Sequence, residues 1–285
     1  MTSAVAGSFV IGGDLEVNRL GYGAMRITGP GVTGPPPDRQ GALDVLRRAV
    51  ALDVNLIDTA DSYGPNVSEE LIAEALHPYP EGLVIATKGG LIRPPGHRGE
   101  WPPDGRPEHL RSACEGSLRR LQVDRIDLYQ LHRVDPNVPL AESVGTLKEL
   151  RDEGKIRHVG LSNVSVGQLE EARGIVEIVS VQNRFNLTTR DSADVLAVCT
   201  RDGLAFFPWF PLDAGTLAEP GGPVAEIAAR HDATPGQVAL AWLLAQSPAM
   251  LPIPGTSSVV HLEENIAAAA LELTSDELQV LDEAA

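Results

Sequence analysis

Apolar and polar positions along this chain follow two periods in turn. Short apolar runs occupy Leu56–Asp58, Val84–Lys88, Ile126–His132, His158–Ser162, Ile178–Gln182 and Ala205–Trp209. Runs of this length between turn residues predict strands buried on both faces. Arg19–Gly21 and Met250–Ile253 complete a set of eight. Helical patterns lie between and after them, near Arg39–Leu52, Ser68–Leu76, Pro107–Leu121, Leu140–Glu153, Val166–Arg173, Asp191–Arg201, Thr234–Gln246, His261–Ala269 and Ser275–Ala285. In the first, Ala42, Leu43, Leu46, Ala49 and Val50 fall close to one helical face. Ser165 and Asp191 suit N-caps, and Thr234 precedes a proline at the first helical position. Gly154 and Gly203 stand where a helix end needs a left-handed residue.

Strands alternating with helices predict an α/β fold with a parallel sheet. Open doubly wound sheets and closed barrels both satisfy the pattern. Eight strands and 285 residues favour a (β/α)8 TIM barrel, whose usual size is about 250 residues. The segment GSFVIGGDLEV predicts an N-terminal β-hairpin turning at Gly12-Gly13-Asp14. No linker divides the chain, so residues 1–285 are expected to form a single barrel domain. The Pro/Gly-rich stretches Gly29–Pro37 and Pro94–Pro107 follow strands one and three, where barrels carry functional loops.

Composition narrows the function. With 23 basic and 39 acidic residues the net charge is −16, which repels nucleic-acid phosphates. No stretch approaches the roughly 20 apolar residues of a membrane span, and the N-terminus lacks the pattern of a signal peptide. Cys114 and Cys199 are too few for a disulfide scaffold, and the seven histidines show no metal-ligand spacing. A cytoplasmic protein without metal, membrane or nucleic-acid partners is expected, its oligomeric state open.

Barrel chemistry gathers at the carboxyl ends of the strands. There the chain places Asp58, Lys88 and His132, with Tyr63 five residues beyond Asp58. An ammonium beside a phenol is expected to lower the phenol pKa, and a carboxylate holds the ammonium. Such a relay, with His132 orienting a substrate oxygen, suits proton delivery during carbonyl reduction. The hydride must come from a cofactor. Each residue also has a plainer reading: a capped loop for Asp58, a surface tyrosine, a satisfied core histidine. Their convergence on one rim favours chemistry.

The segments NLIDTADSYG, TKGG, DLYQLHR, GKIRHVGLSN, SVQNRFN and IPGTSSVVHLEEN resemble the aldo-keto reductases, and the likeness runs to about Asn265. The resemblance is nearest to a bacterial subgroup that includes pyridoxal reductases. It implies an NADPH-dependent barrel enzyme that reduces an aldehyde or ketone, pyridoxal being one candidate. It implies a catalytic tetrad of Asp58, Tyr63, Lys88 and His132. Ser162, Asn163 and Gln182 would bind the nicotinamide carboxamide, and Trp209 would stack on its ring. Gly23 and Met25 would approach the cofactor ribose. Pro211, Leu212, Gly215 and Leu217 would cover the pyrophosphate. Ile253, Gly255, Thr256, Ser257, Ser258, Glu264 and Asn265 would hold the adenosine end. Met25, Tyr63, Trp101, Trp209 and Phe210 would line the substrate pocket.

Two features depart from the family pattern. Asp213 places a negative charge in the pyrophosphate segment. Ser257 and Ser258 stand where many members carry Lys or Arg for the 2′-phosphate; hydroxyls and the N–H groups opening the next helix can still hold it, so NADPH is expected with NADH tolerated. A slow or non-catalytic nucleotide-sensing subunit on the same barrel is the alternative. The literal GxGxxG at Gly29–Gly34 lies in a proline-rich loop and does not suit a Rossmann turn.

Overall fold

A computed structural model describes residues 1–93, 101–212 and 222–283. Two short strands, β1 (Ser8–Ile11) and β2 (Leu15–Asn18), pair antiparallel as the expected hairpin. Gly12 (φ 60°) and Gly13 (φ 82°) both take positive φ, as a tight primed hairpin turn demands. A parallel sheet follows in chain order: β3 (Tyr22–Gly23), β4 (Leu56–Asp58), β5 (Val84–Gly89), β6 (Ile126–Leu131), β7 (Ile156–Ser162), β8 (Ile178–Arg184) and β9 (Ala205–Trp209).

The eighth stave closes the barrel without being a regular strand. Leu251 N donates to Phe206 O at 2.9 Å on one side, and Gly21 N donates to Pro252 O at 2.9 Å on the other. Gly23 N donates to Pro254 O at 3.3 Å. Prolines at 252 and 254 accept these bonds but have no N–H to return, so the ladder is one-sided. That corrects the expectation of a regular strand over Met250–Ile253. The first stave is also displaced, to Tyr22–Gly23 rather than Arg19–Gly21. Arg19 instead turns its guanidinium onto the carbonyls of Leu244, Ser247 and Met250.

Around the sheet stand α1 (Arg39–Ala51), α2 (Val67–Leu76), α3 (Pro107–Leu121), α4 (Leu140–Asp152), α5 (Val166–Arg173), α6 (Ala193–Asp202), α7 (Pro223–Arg230), α8 (Pro235–Gln246), α9 (Val259–Ala267) and α10 (Ser275–Glu283). Ser165 and Thr234 each close a capping box. Asp191 does not cap α6, which starts at Ala193 after Ser192. Helix α7 was not expected from the sequence. Its Val224, Ile227 and Ala228 are buried at helical spacing behind a proline at N1.

The core has an inner and an outer part. Inside the barrel, Leu56, Val84, Ala86, Leu128, Val179, Ala205, Phe207, Leu251 and Ile253 pack with Ile11, Leu15 and Val17 of the hairpin. The hairpin therefore plugs the amino-terminal end, and Asp14 ties it to Arg157 and His158 of β7. Between sheet and helices the walls are apolar. Trp242 of α8 is fully buried, stacked on Phe185 with Nε1 donating to Asp282 Oδ1. With that end filled, the barrel interior opens at the carboxyl-terminal rim.

Candidate active site

Parallel strands in register bring their carboxyl ends level. Gly23 pairs with Asp58, Lys88 with Gln130, and Ser162 with Gln182. Lys88 has no exposure, and a buried ammonium requires compensation. It donates to Asp58 Oδ2 at 2.6 Å and to Thr59 O at 2.8 Å, and reaches Tyr63 Oη at 3.4 Å. The other Asp58 oxygen, Oδ1, accepts from Gln182 Nε2 at 2.8 Å and Gln130 Nε2 at 3.4 Å. Both carboxylate oxygens are thus engaged, which fixes Asp58 and through it Lys88. His132, just past β6, stands edge-on to Tyr63 with ring centroids 5.8 Å apart. Its Nδ1 is 3.4 Å from Ser62 Oγ. All four expected residues converge.

Electrostatics qualifies one expectation. Burial pushes the Tyr63 phenol above its ordinary value, and the Lys88 charge offsets this only in part. Lys88 lowers the phenol pKa as expected, but burial outweighs it, and Tyr63 keeps its proton at neutral pH. Burial acts to depress the Lys88 ammonium, but the charges and hydrogen bonds of Asp58 and Tyr63 together outweigh it and the net shift is upward. Burial, then the charges of Lys88 and Arg133, holds His132 well below its ordinary value, so the imidazole is neutral. The group is a protonated phenol beside a permanent cation and a neutral ring: a proton donor whose conjugate base is stabilised in place.

Asp58, Tyr63 and His132 open into a cavity of about 890 Å³, with Lys88 behind them. Of the expected cofactor contacts, Gly23, Met25, Ser162, Asn163, Gln182, Trp209, Pro211, Leu212, Ile253 and Gly255 line it. So do the expected pocket residues Met25, Tyr63, Trp101, Trp209 and Phe210. Thr256, Ser257, Ser258, Glu264 and Asn265 are not part of its lining; the first three lead into α9 and the last two lie within it. Ser258 Oγ accepts from His261 N as the N-cap of that helix. Gly215, Leu217 and Asp213 lie outside the described residues. The sequence reading missed Arg26, Arg133, Gly236 and His261 on the lining, and Gln130 behind Asp58. Arg133 adjoins His132 in the chain, a signal that was available; Gln130 required the β5–β6 register.

Close approach shapes the wall. A Cβ on Gly23 would stand 2.6 Å from Ile253 O, and one on Gly255 would stand 2.6 Å from Gly23 O. Asn163 takes φ 58°, which asparagine tolerates, and its Nδ2 donates to His132 O and Ser162 Oγ. Trp209 Nε1 donates to Asn163 Oδ1 at 3.0 Å. The neighbouring Phe210 also has positive φ, 59°, unusual for an aromatic residue, and Asn186 Nδ2 anchors its carbonyl at 2.9 Å.

A parallel barrel with a buried lysine–carboxylate pair and a protonated phenol at its carboxyl-terminal rim defines a barrel oxidoreductase. The Aldo/keto reductase family matches residues 19–285, and the chain belongs to that family. An uncharacterized oxidoreductase of Schizosaccharomyces pombe is 50% identical over 95% of this chain and 88% of its own length. Pyridoxine 4-dehydrogenase of Escherichia coli is 46% identical over 95% of this chain and 96% of its own. Among solved structures, an aldo-keto reductase from Klebsiella pneumoniae in complex with NADPH superposes with a TM-score of 0.81 at 28% identity, over 97% of this chain and 94% of that one.

Proposed function

We propose that the protein reduces an aldehyde or ketone to the alcohol with NADPH. The observation that carries this reading is Lys88, buried between Asp58 and the Tyr63 hydroxyl at the inner end of the cavity. Tyr63 Oη gives its proton to the carbonyl oxygen as the alcohol forms. Lys88 stabilises the phenolate left behind, and Asp58 keeps Lys88 aimed at it. His132, neutral and edge-on to Tyr63, holds the same oxygen.

NADPH, when bound, supplies the hydride. The hydrogen-bonding inventory supports its nicotinamide amide lying between Ser162, Asn163 and Gln182. Ser162 Oγ accepts from Asn163, which leaves its hydroxyl proton for an amide carbonyl. Asn163 Oδ1 retains a lone pair beside the one Trp209 uses. Gln182 reaches Asp58 through Nε2, so its Oε1 is the end available to an amide N–H. The indole of Trp209 offers a stacking face. Thr256, Ser257 and the start of α9 hold the 2′-phosphate through hydroxyls and backbone N–H groups. The likeness to a Klebsiella structure in complex with NADPH supports this choice of cofactor.

The E. coli relative makes pyridoxal the first carbonyl to test. Loss of dihydropyridine absorbance is followed with pyridoxal and simple aldehydes, NADPH and NADH in parallel. Turnover with NADPH exceeding that with NADH is expected. NADPH binding without turnover of any carbonyl would overturn the reading in favour of a nucleotide sensor.

A further inference from the structure

Arg133 follows His132 at the end of β6, is exposed, and lines the same cavity as the tetrad. Among the described residues it makes no hydrogen bond or ion pair. Most of the described arginines are paired, although Arg26 on the same lining is not. Arg111 is shared by Glu149 and Glu153, and Arg173 by Glu170 and Asp202. The acids near Arg133 are engaged elsewhere. Asp135 accepts from Gly105 N at 3.0 Å and from Asn137 N at 2.9 Å. Asp104 is held by Arg106 at 2.7 Å. The same lining carries the aromatic and apolar side chains Tyr63, Leu91, Trp101, Trp209 and Phe210.

A free guanidinium against aromatic walls, next to the residue that holds the carbonyl oxygen, is a reader of charge. We infer that Arg133 selects the substrate by a negative oxygen group, and that the preferred carbonyl compound is a flat, largely apolar aldehyde carrying a carboxylate or phosphate. This rests on the reductase reading above and names the substrate class of that site. Arg133 takes no part in the proton transfer; it positions the substrate from the end away from the carbonyl.

The test compares 4-formylbenzoate with its methyl ester and with benzaldehyde, using NADPH and three proteins: the native one, Arg133→Met and Arg133→Lys. The native protein is expected to favour the acid over the ester about tenfold in kcat/KM, mainly through KM, the scale of one charge-assisted hydrogen bond. Arg133→Met abolishes that preference, costing the acid about tenfold more in kcat/KM than it costs benzaldehyde. Arg133→Lys keeps part of it, and added salt shrinks it in the native protein. If acid and ester are reduced alike by the native protein, or Arg133→Met slows all three aldehydes equally, the assignment is wrong while the reductase reading stands. If the native protein reduces none of them, the reductase reading fails first and takes this assignment with it.

Discussion

At the residue scale, Lys88 unites stability and chemistry. Removing it strands Asp58 as a buried carboxylate without its main partner. Lys88→Met is therefore expected to cost about 3 kcal/mol in urea unfolding and to lose most carbonyl reduction. Adding Asp58→Asn should recover much of the stability and none of the activity, which separates the two roles. The directions of the pKa shifts fix the pH profile. Tyr63 must be protonated to donate, and its pKa is raised, so reductive kcat/KM should stay level through neutral pH and fall only in strongly alkaline solution. His132 is held well below its ordinary value, so no inflection is expected near about pH 6.5, where a free imidazole titrates. Asp61 supplies a stability signature of its own. Burial, then the charge of Glu69, pushes it up to about 8, and its Oδ1 has no partner. The folded state keeps that proton where the unfolded chain, titrating near about 3.9, has lost it. Its contribution therefore falls as pH rises across that window, and Asp61→Asn should remove the fall in denaturation curves taken from acid to mildly alkaline pH. The tetrad was legible in the sequence because four chemically matched side chains end or follow adjacent strands. Asp61, Gln130 and the net direction of the Tyr63 shift were not, because each depends on burial and on neighbours distant in the chain.

At the element scale, the seam of the barrel carries the most constraint. Two prolines make the eighth stave one-sided, and two glycines let it approach β3 across the cavity wall. Gly23→Ala should force the seam apart, since a Cβ would meet Ile253 O at 2.6 Å. A drop of about 1–3 kcal/mol in unfolding free energy is expected, together with a weaker NADPH Kd measured by fluorescence titration. The sequence placed β4, α3, α5 and β9 at their observed bounds, because long helical periodicity and turn-bounded apolar runs are strong signals. It erred where geometry rather than pattern decides. Arg19 was drawn out of the first strand by carbonyls more than 200 positions away, and α7 begins directly at Gly222-Pro223, a pair that reads as a turn.

At the scale of the whole molecule, the hairpin closes one end of the barrel with apolar side chains and leaves the other for chemistry. The chain as a whole is acidic, while the cavity is lined by the guanidinium groups of Arg26 and Arg133. That contrast favours an anionic cofactor and substrate over the solvent-facing exterior. Tyr63→Phe tests the central claim most directly, because it deletes one oxygen and keeps the ring packed against Trp101 and His132. With NADPH and an aldehyde that the native protein reduces, kcat is expected to fall at least about a hundredfold while the NADPH Kd stays within about twofold. A Tyr63→Phe protein that still reduces the aldehyde at near-native kcat would contradict the account.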